Sequence, residues 1–241
     1  MQTEKVAVGP LLAKRRPASE PGMRLVGVRI GSENPAAAIA AYRLLLDVPG
    51  TPCSGGVRFR LGRGSVDVVA GARGLRAVRF VSDAGDVSLP AAHGIEVAVE
   101  PDDEEARPPS EPAAAIDHVV VHTTDPARAI VLWRDRPGFR LALDREFPER
   151  GLRLLFFRSG GITLEYASPL PLPAAQQGDD RLHGVSYRVA DLAARRDRLL
   201  AAGVDVSEVR RGMRPGTRVA TVRSGTAGVP TLLLQVDEPA G

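Results

Sequence analysis

The sequence predicts an α+β fold of tandem βαβββ modules, with curved mixed sheets enclosing a cavity. Three observations predict it. The order strand, helix, three strands runs through residues 116–167 and recurs through residues 184–236. Turn residues stand where the connections require them. A worn version of the same order occupies residues 23–100. A unit repeated in tandem fixes the fold, because each copy buries its face against the next.

The elements of the second half follow in order. Residues 116–122 (IDHVVVH) are short and β-branched, which reads as a strand. Asp125 is placed to cap a helix with Pro126 at its first position. That helix runs to about Arg136, with Ala129, Ile130 and Trp133 at helical spacing, and Pro137-Gly138 stops it. Trp133 is expected in the core. Strands follow at 139–144, 152–158 and 162–167, the last two joined by Ser159-Gly160-Gly161. The cycle restarts with a strand at 184–189, a helix capped by Asp191 and closed by Gly203, and strands near 204–209, 218–223 and 231–236. Gly225 to Pro230 makes the final turn, and Gly212 to Gly216 is expected to be a loop over the cavity, suited to a lid.

The first half carries a strand at 24–30, a helix opened by Asn34-Pro35 and a hairpin around Gly62-Arg63-Gly64. Residues 75–81 start a further unit that lacks a helix and most of its strands, with 93–99 as its remnant. Cys53 falls in a Pro/Gly-rich loop. Residues 101–112 (PDDEEARPPSEP) are acidic and proline-rich with no large apolar side chain, so they read as a linker. Residues 1–22 read as a disordered tail, and Met23 stands where a natural start would. The expected division is therefore a tail (1–22), a degenerate first half (23–100), a linker (101–112) and a two-module domain (113–238).

Composition narrows the classes. Cys53 is the single cysteine, which excludes an intramolecular disulfide framework and a cysteine-rich zinc site and suits a reducing cytoplasm. Net charge is +3, and the basic residues are almost all Arg, Lys5 and Lys14 being the only lysines. These charges are scattered among acids, so nucleic acid is not the expected partner. No apolar run approaches the roughly 18 residues of a membrane span. There is no GxSxG, phosphate-binding loop or dinucleotide fingerprint.

An ordered set of motifs carries a resemblance. It comprises Ile116-Asp117-His118-Val119-Val120-Val121, Asp125-Pro126, a helix ending at Pro137-Gly138-Phe139, and Gly161-Ile162-Thr163-Leu164-Glu165. It continues with Gly184-Val185-Ser186-Tyr187-Arg188-Val189 before Ala190-Asp191, then Ala201-Ala202-Gly203-Val204 and Ala227-Gly228-Val229-Pro230. Residues 116–236 thereby resemble the vicinal oxygen chelate superfamily, which includes glyoxalase I, bleomycin-resistance proteins and extradiol dioxygenases; residues 23–100 resemble it weakly. The resemblance implies a U-shaped cavity and, in many members, one divalent metal held by a residue from the first and last strand of each module.

Carried over by position, the implied metal ligands are His118 and Glu165, a set that suits Fe, Mn, Ni, Co or Zn. Gly184 and Leu232 stand at the other two positions and cannot bind a metal. His183 would serve only with a register shift. In the first half, Gly27 and Asp67 take the His and Glu positions. The cofactor is therefore one divalent metal or none. His118 and Glu165 are the candidate catalytic residues, as general base or metal ligand.

Strand alternation places His118, Val120 and His122 on one face, with Asp117 and Val119 on the other. Thr163 and Glu165 share a face, as do Gly184, Ser186 and Arg188. His122, Thr163, Ser186 and Arg188 are thus the candidate substrate-binding residues. His122 suits the rim or plain exposure, and Arg188 suits a substrate carboxylate or phosphate or a pairing with Glu165. Phe156 and Phe157 point to opposite faces. The resemblance implies an isomerase, lyase or dioxygenase acting on a small oxygenated molecule, or a metal-free binding protein. The expected partner is a small-molecule ligand, anionic if positive charge rings the pocket; neither nucleic acid nor membrane is expected, and a homodimer is left open.

Overall fold

The structure is a computed structural model describing residues 23–82, 92–100, 113–135, 139–173 and 178–237. The tail, the linker and the Pro137-Gly138 stop expected above lie outside the described residues. Among those described, the strands form two mixed sheets, of six and eight strands.

The first sheet begins with β1 (Arg24–Ser32), helix α1 (Pro35–Leu46) and strands β2 (Gly50–Cys53), β3 (Gly56–Arg60) and β4 (Ser65–Ala70). Asn34 caps α1, its side chain accepting from the Ala37 amide at 3.2 Å. β5 (Gly74–Val81) and β6 (Glu96–Glu100) complete the sheet in the order β2-β3-β4-β1-β5-β6. β6 pairs parallel with β5, as the closing strand of a worn second module should. The residues around Cys53, expected as loop, form edge strand β2 instead. Pro52 is tolerated there because an edge strand needs no ladder donor on its outer side.

The second sheet is fuller. It comprises β7 (Ala114–His122), helix α2 (Pro126–Trp133), β8 (Arg140–Phe147), β9 (Leu152–Ser159) and β10 (Ile162–Pro169). There follow β11 (Arg181–Val189), helix α3 (Leu192–Ala201), β12 (Arg210–Arg211), β13 (Thr217–Val222) and β14 (Thr231–Val236). Asp125 and Asp191 cap α2 and α3 by accepting from the amides of Arg128 and Ala194. The strand expected at 204–209 reduces to a single bridge from Val206 to Val222, followed by the two-residue β12. The order β12-β13-β14-β11-β7-β10-β9-β8 places the two module-opening strands, β7 and β11, antiparallel at the centre.

Each half ties itself to the other by equivalent turns. The β9–β10 turn reaches β1, where Ser159 Oγ accepts from the Leu25 amide and donates to the Met23 carbonyl, both at 3.1 Å. The β3–β4 turn reaches β7 through Gly62 N–H to Ala114 O and Ile116 N–H to Arg63 O. Gly160 in the first turn has φ +59°, and a Cβ there would stand 2.5 Å from Leu25 O, so both conformation and closeness call for glycine. One continuous apolar core spans the two halves. Phe80 of β5 stacks on Trp133 of α2 at 5.6 Å, and the Trp133 indole donates to the Tyr166 hydroxyl at 2.6 Å. No described helix is long and apolar enough to cross a membrane.

Candidate functional site

The site begins with a defect in strand pairing. Ser186 of β11 stands opposite His118 of β7, and Tyr187 opposite Ile116, so Asp117 is an extra residue without a partner. Such a bulge turns two successive side chains to one face. Ile116 and Val119 are buried on the helix side, while Asp117 and His118 both line the cavity on the other. Plain alternation had placed Asp117 opposite His118; the bulge corrects this. The signal was present as two adjacent polar residues between two core positions, Ile116 and Val119.

β11 carries the matching bulge. Leu182 pairs with Val121 and Gly184 with Val120, leaving His183 unpaired. His118 and Gly184 are therefore equivalent positions. His183 does not turn into the cavity, however; its ring stacks on His122 with centroids 4.0 Å apart. Burial and the neighbouring His183 lower the His122 pKa. Of the two readings of His122, rim or plain exposure, the structure has the second: it sits exposed at the strand end, outside the cavity lining.

The cavity is about 280 Å³. Its polar centre is Asp117, His118, Thr163 and Glu165, and apolar walls come from Leu154, Phe156, Val219, Leu232 and Leu234. Phe157, the neighbour of Phe156, is buried on the core side. Thr163 pairs with His118 and Glu165 with Val120, which sets the carboxylate beside the imidazole. His118 Nε2 lies 3.8 Å from Glu165 Oε2. This is too long for a direct hydrogen bond and leaves room for a bridging atom.

The other imidazole nitrogen, Nδ1, is 3.0 Å from Asp117 Oδ2. Arg188 Nη2 in turn donates to Asp117 Oδ1 at 2.6 Å. Burial alone would raise the Asp117 carboxyl, but hydrogen bonds from His118 and Arg188 outweigh it and hold the group well below the usual carboxylate range. An ionised carboxylate only accepts, so Nδ1 must carry hydrogen and Nε2 is directed at Glu165. Glu165 is the opposite case. Burial raises its pKa, the facing His118 lowers it less, and Asp117 adds to the rise.

Arg188 therefore reaches the site through Asp117 and is absent from the cavity lining. Ser186, across from His118 on the neighbouring strand, is buried, its hydroxyl without a hydrogen-bond partner. The loop expected over the cavity contributes Gly212, Met213 and Arg214 to its wall.

These residues do not make a complete cation site. Among the described residues no three His, Cys, Asp or Glu side chains gather to hold a metal. Of the four equivalent positions, His118 and Glu165 carry donors, whereas Gly184 and Leu232 do not. A side chain at position 184 would begin with a Cβ 2.6 Å from Pro230 O, so the backbone itself is closed to a ligand there. The donor set does not fit a divalent metal held by the protein alone.

Two module-paired sheets, one cupping a polar-centred cavity, define a paired βαβββ protein. The model of the Glyoxalase/Bleomycin resistance protein/Dioxygenase superfamily matches residues 117–221. The matched residues lie in the eight-stranded sheet, which is thereby similar to this vicinal oxygen chelate superfamily. Among solved structures, a mutant of 4-hydroxymandelate synthase from Streptomyces coelicolor matches 92% of this chain and 94% of its own, at 14% identity and TM-score 0.65. The likeness extends the shared fold over both halves. Methylmalonyl-CoA epimerase from Mycobacterium tuberculosis matches 52% of this chain and 88% of its own, at 22% identity and TM-score 0.42. The curated proteins contain no match to the chain.

Proposed function

We propose that this protein is an isomerase- or lyase-type enzyme that moves a proton on a small oxygenated molecule, with Glu165 and His118 as the acid–base pair. One observation carries the reading: Glu165 is largely withdrawn from water, with its carboxyl pKa raised, and it faces His118 across a 3.8 Å gap inside the cavity. A carboxylate tuned upward is a stronger base, and it returns its proton more readily near neutral pH. Such groups at a cavity centre mark functional sites.

The proton inventory closes within the pair. Ionised Glu165 takes a proton from a carbon made acidic by a neighbouring carbonyl. His118, protonated on Nε2, gives one to the substrate at the second position. Exchange across the gap then restores both groups. Asp117 positions the ring from behind, and Arg188 keeps Asp117 ionised. The single cysteine, Cys53, supports a cytoplasmic setting for this chemistry.

A second reading, a metal-free binding protein, is favoured by the apolar Leu232 at one metal-ligand position. Solvent-deuterium exchange separates the two. Small 2-oxo and 2-hydroxy acids would be incubated with the protein in D₂O and followed by proton NMR. The enzyme reading expects washout of a carbon-bound proton that Glu165→Gln abolishes. An acid that binds by calorimetry yet never exchanges supports sequestration instead.

A further inference from the structure

The cavity has a second charged region that the acid–base pair does not use. Arg158 of β9 lines one wall, and Arg210 and Arg214 line the opposite one. None of the three has an acidic partner among the described residues. Elsewhere on the same sheet Arg153 is paired with Asp144, Arg188 with Asp117 and Arg218 with Asp237. Arg158 also stands directly across from Arg140 on β8. Like charges opposed in this way disfavour the pairing unless an anion comes between them. Unpartnered positive charge therefore collects around the cavity from both limbs of the sheet.

The segment carrying Arg214 is held in shape. Gly212 N–H donates to Thr217 O at 2.8 Å, Thr217 Oγ1 donates to Arg214 O, and Asp237 N–H donates to Gly216 O at 2.8 Å. Its tip, Met213, is 60% exposed, one of few large apolar side chains left so open. An apolar tip beside an arginine, both on the cavity wall, suits a ligand with an apolar body and a charged end.

We infer that Arg158, Arg210 and Arg214 form an anion subsite that takes a carboxylate or phosphate of the substrate and points its apolar, carbonyl-bearing part at Glu165 and His118. The substrate class is thus a small acid with an apolar chain, of a size set by the 280 Å³ cavity. This inference rests on the catalytic reading for the substrate's orientation, and on the arginines alone for its charge.

The test uses the full chain and isothermal calorimetry with three probes: 2-oxopentanoate, its uncharged amide, and inorganic phosphate. The wild type should bind the acid at least about tenfold more tightly than the amide. Phosphate should compete with the acid, and added salt should weaken binding of the acid but not of the amide. Arg158→Gln combined with Arg214→Gln should erase most of the preference; both side chains are exposed, and circular dichroism would verify the fold. Equal affinity for acid and amide, absence of binding by both acid and phosphate, or a preference intact in the double variant would overturn the subsite. Glu165→Gln should keep the preference for the acid while losing deuterium exchange. If wild type prefers the acid through these arginines but exchanges no proton, the catalytic reading fails and the subsite stands.

Discussion

The two sheets hold a carboxylate at the same place and treat it in opposite ways. Asp67 stands across from Arg29, two residues past Gly27; Glu165 stands across from Val120, two residues past His118. Even the bulges correspond, with Val26 unpaired in the first sheet as Asp117 is in the second. Asp67 is buried and neutralised by Arg58 at 2.7 Å and Arg79 at 3.2 Å, with Glu100 bridging the two arginines. By register, the second sheet puts Phe156, Ser186 and Leu234 where the first has Arg58, Arg79 and Glu100. Taking those charges away leaves Glu165 with His118 as its only ion-pair partner among the described residues. One scaffold thus yields a filled, cross-linked face in one half and an open, cavity-forming face in the other.

The largest expected effect lies in the filled face. Arg79→Met should lower stability by about 3–5 kcal/mol, because it leaves buried carboxylate charge short of a partner. Urea denaturation monitored by circular dichroism measures this. A loss under about 1 kcal/mol would mean the network is ornamental and the contrast between halves is misread.

Asp117→Asn should cost less, about 1–3 kcal/mol, since it weakens hydrogen bonds to His118 and Arg188 that are partly open to water. The sign follows from the lowered Asp117 pKa: its contribution is present above the unfolded-state pKa and is lost as pH falls through the folded one. Nitrogen NMR of His118 should show hydrogen on Nδ1 in the wild type and a mixed population in the variant. The same tautomer in both would remove Asp117 from its positioning role.

Glu165→Gln should change stability least, by about 1 kcal/mol or less, and in the stabilising direction at alkaline pH. The folded pKa of Glu165 is raised, so its contribution is complete below the unfolded-state value and is lost as pH rises through the folded one. Wild-type stability should fall over that window relative to the variant. Denaturation midpoints compared from pH 5 to pH 9 would expose the difference, and parallel curves would argue against a buried Glu165.

Most of the architecture was legible because strands alternate and helices announce their caps. Asn34, Asp125 and Asp191 each open a helix in the structure. The equivalence of His118 with Gly184, and of Glu165 with Leu232, followed from strand order and agrees with the observed pairing. Asp117 escaped because alternation assumes an unbroken ladder, and one bulge reverses its face. The stacking of His122 on His183, and the arginines that close the first sheet around Asp67, depend on strands far apart in sequence. Local periodicity carries no record of such pairings. Edge strand β2 was hidden by Pro52, a residue that argues against central strands only.

The central claim is that the second sheet holds a carboxyl deliberately left short of positive charge. Carbon-13 NMR titration of the Glu165 side chain, assigned with Glu165→Gln, measures it without knowledge of any substrate. The account predicts a midpoint clearly above the ordinary glutamate value, moving higher still when His118→Ala removes the facing ring. A midpoint at or below the ordinary value in the wild type would contradict it.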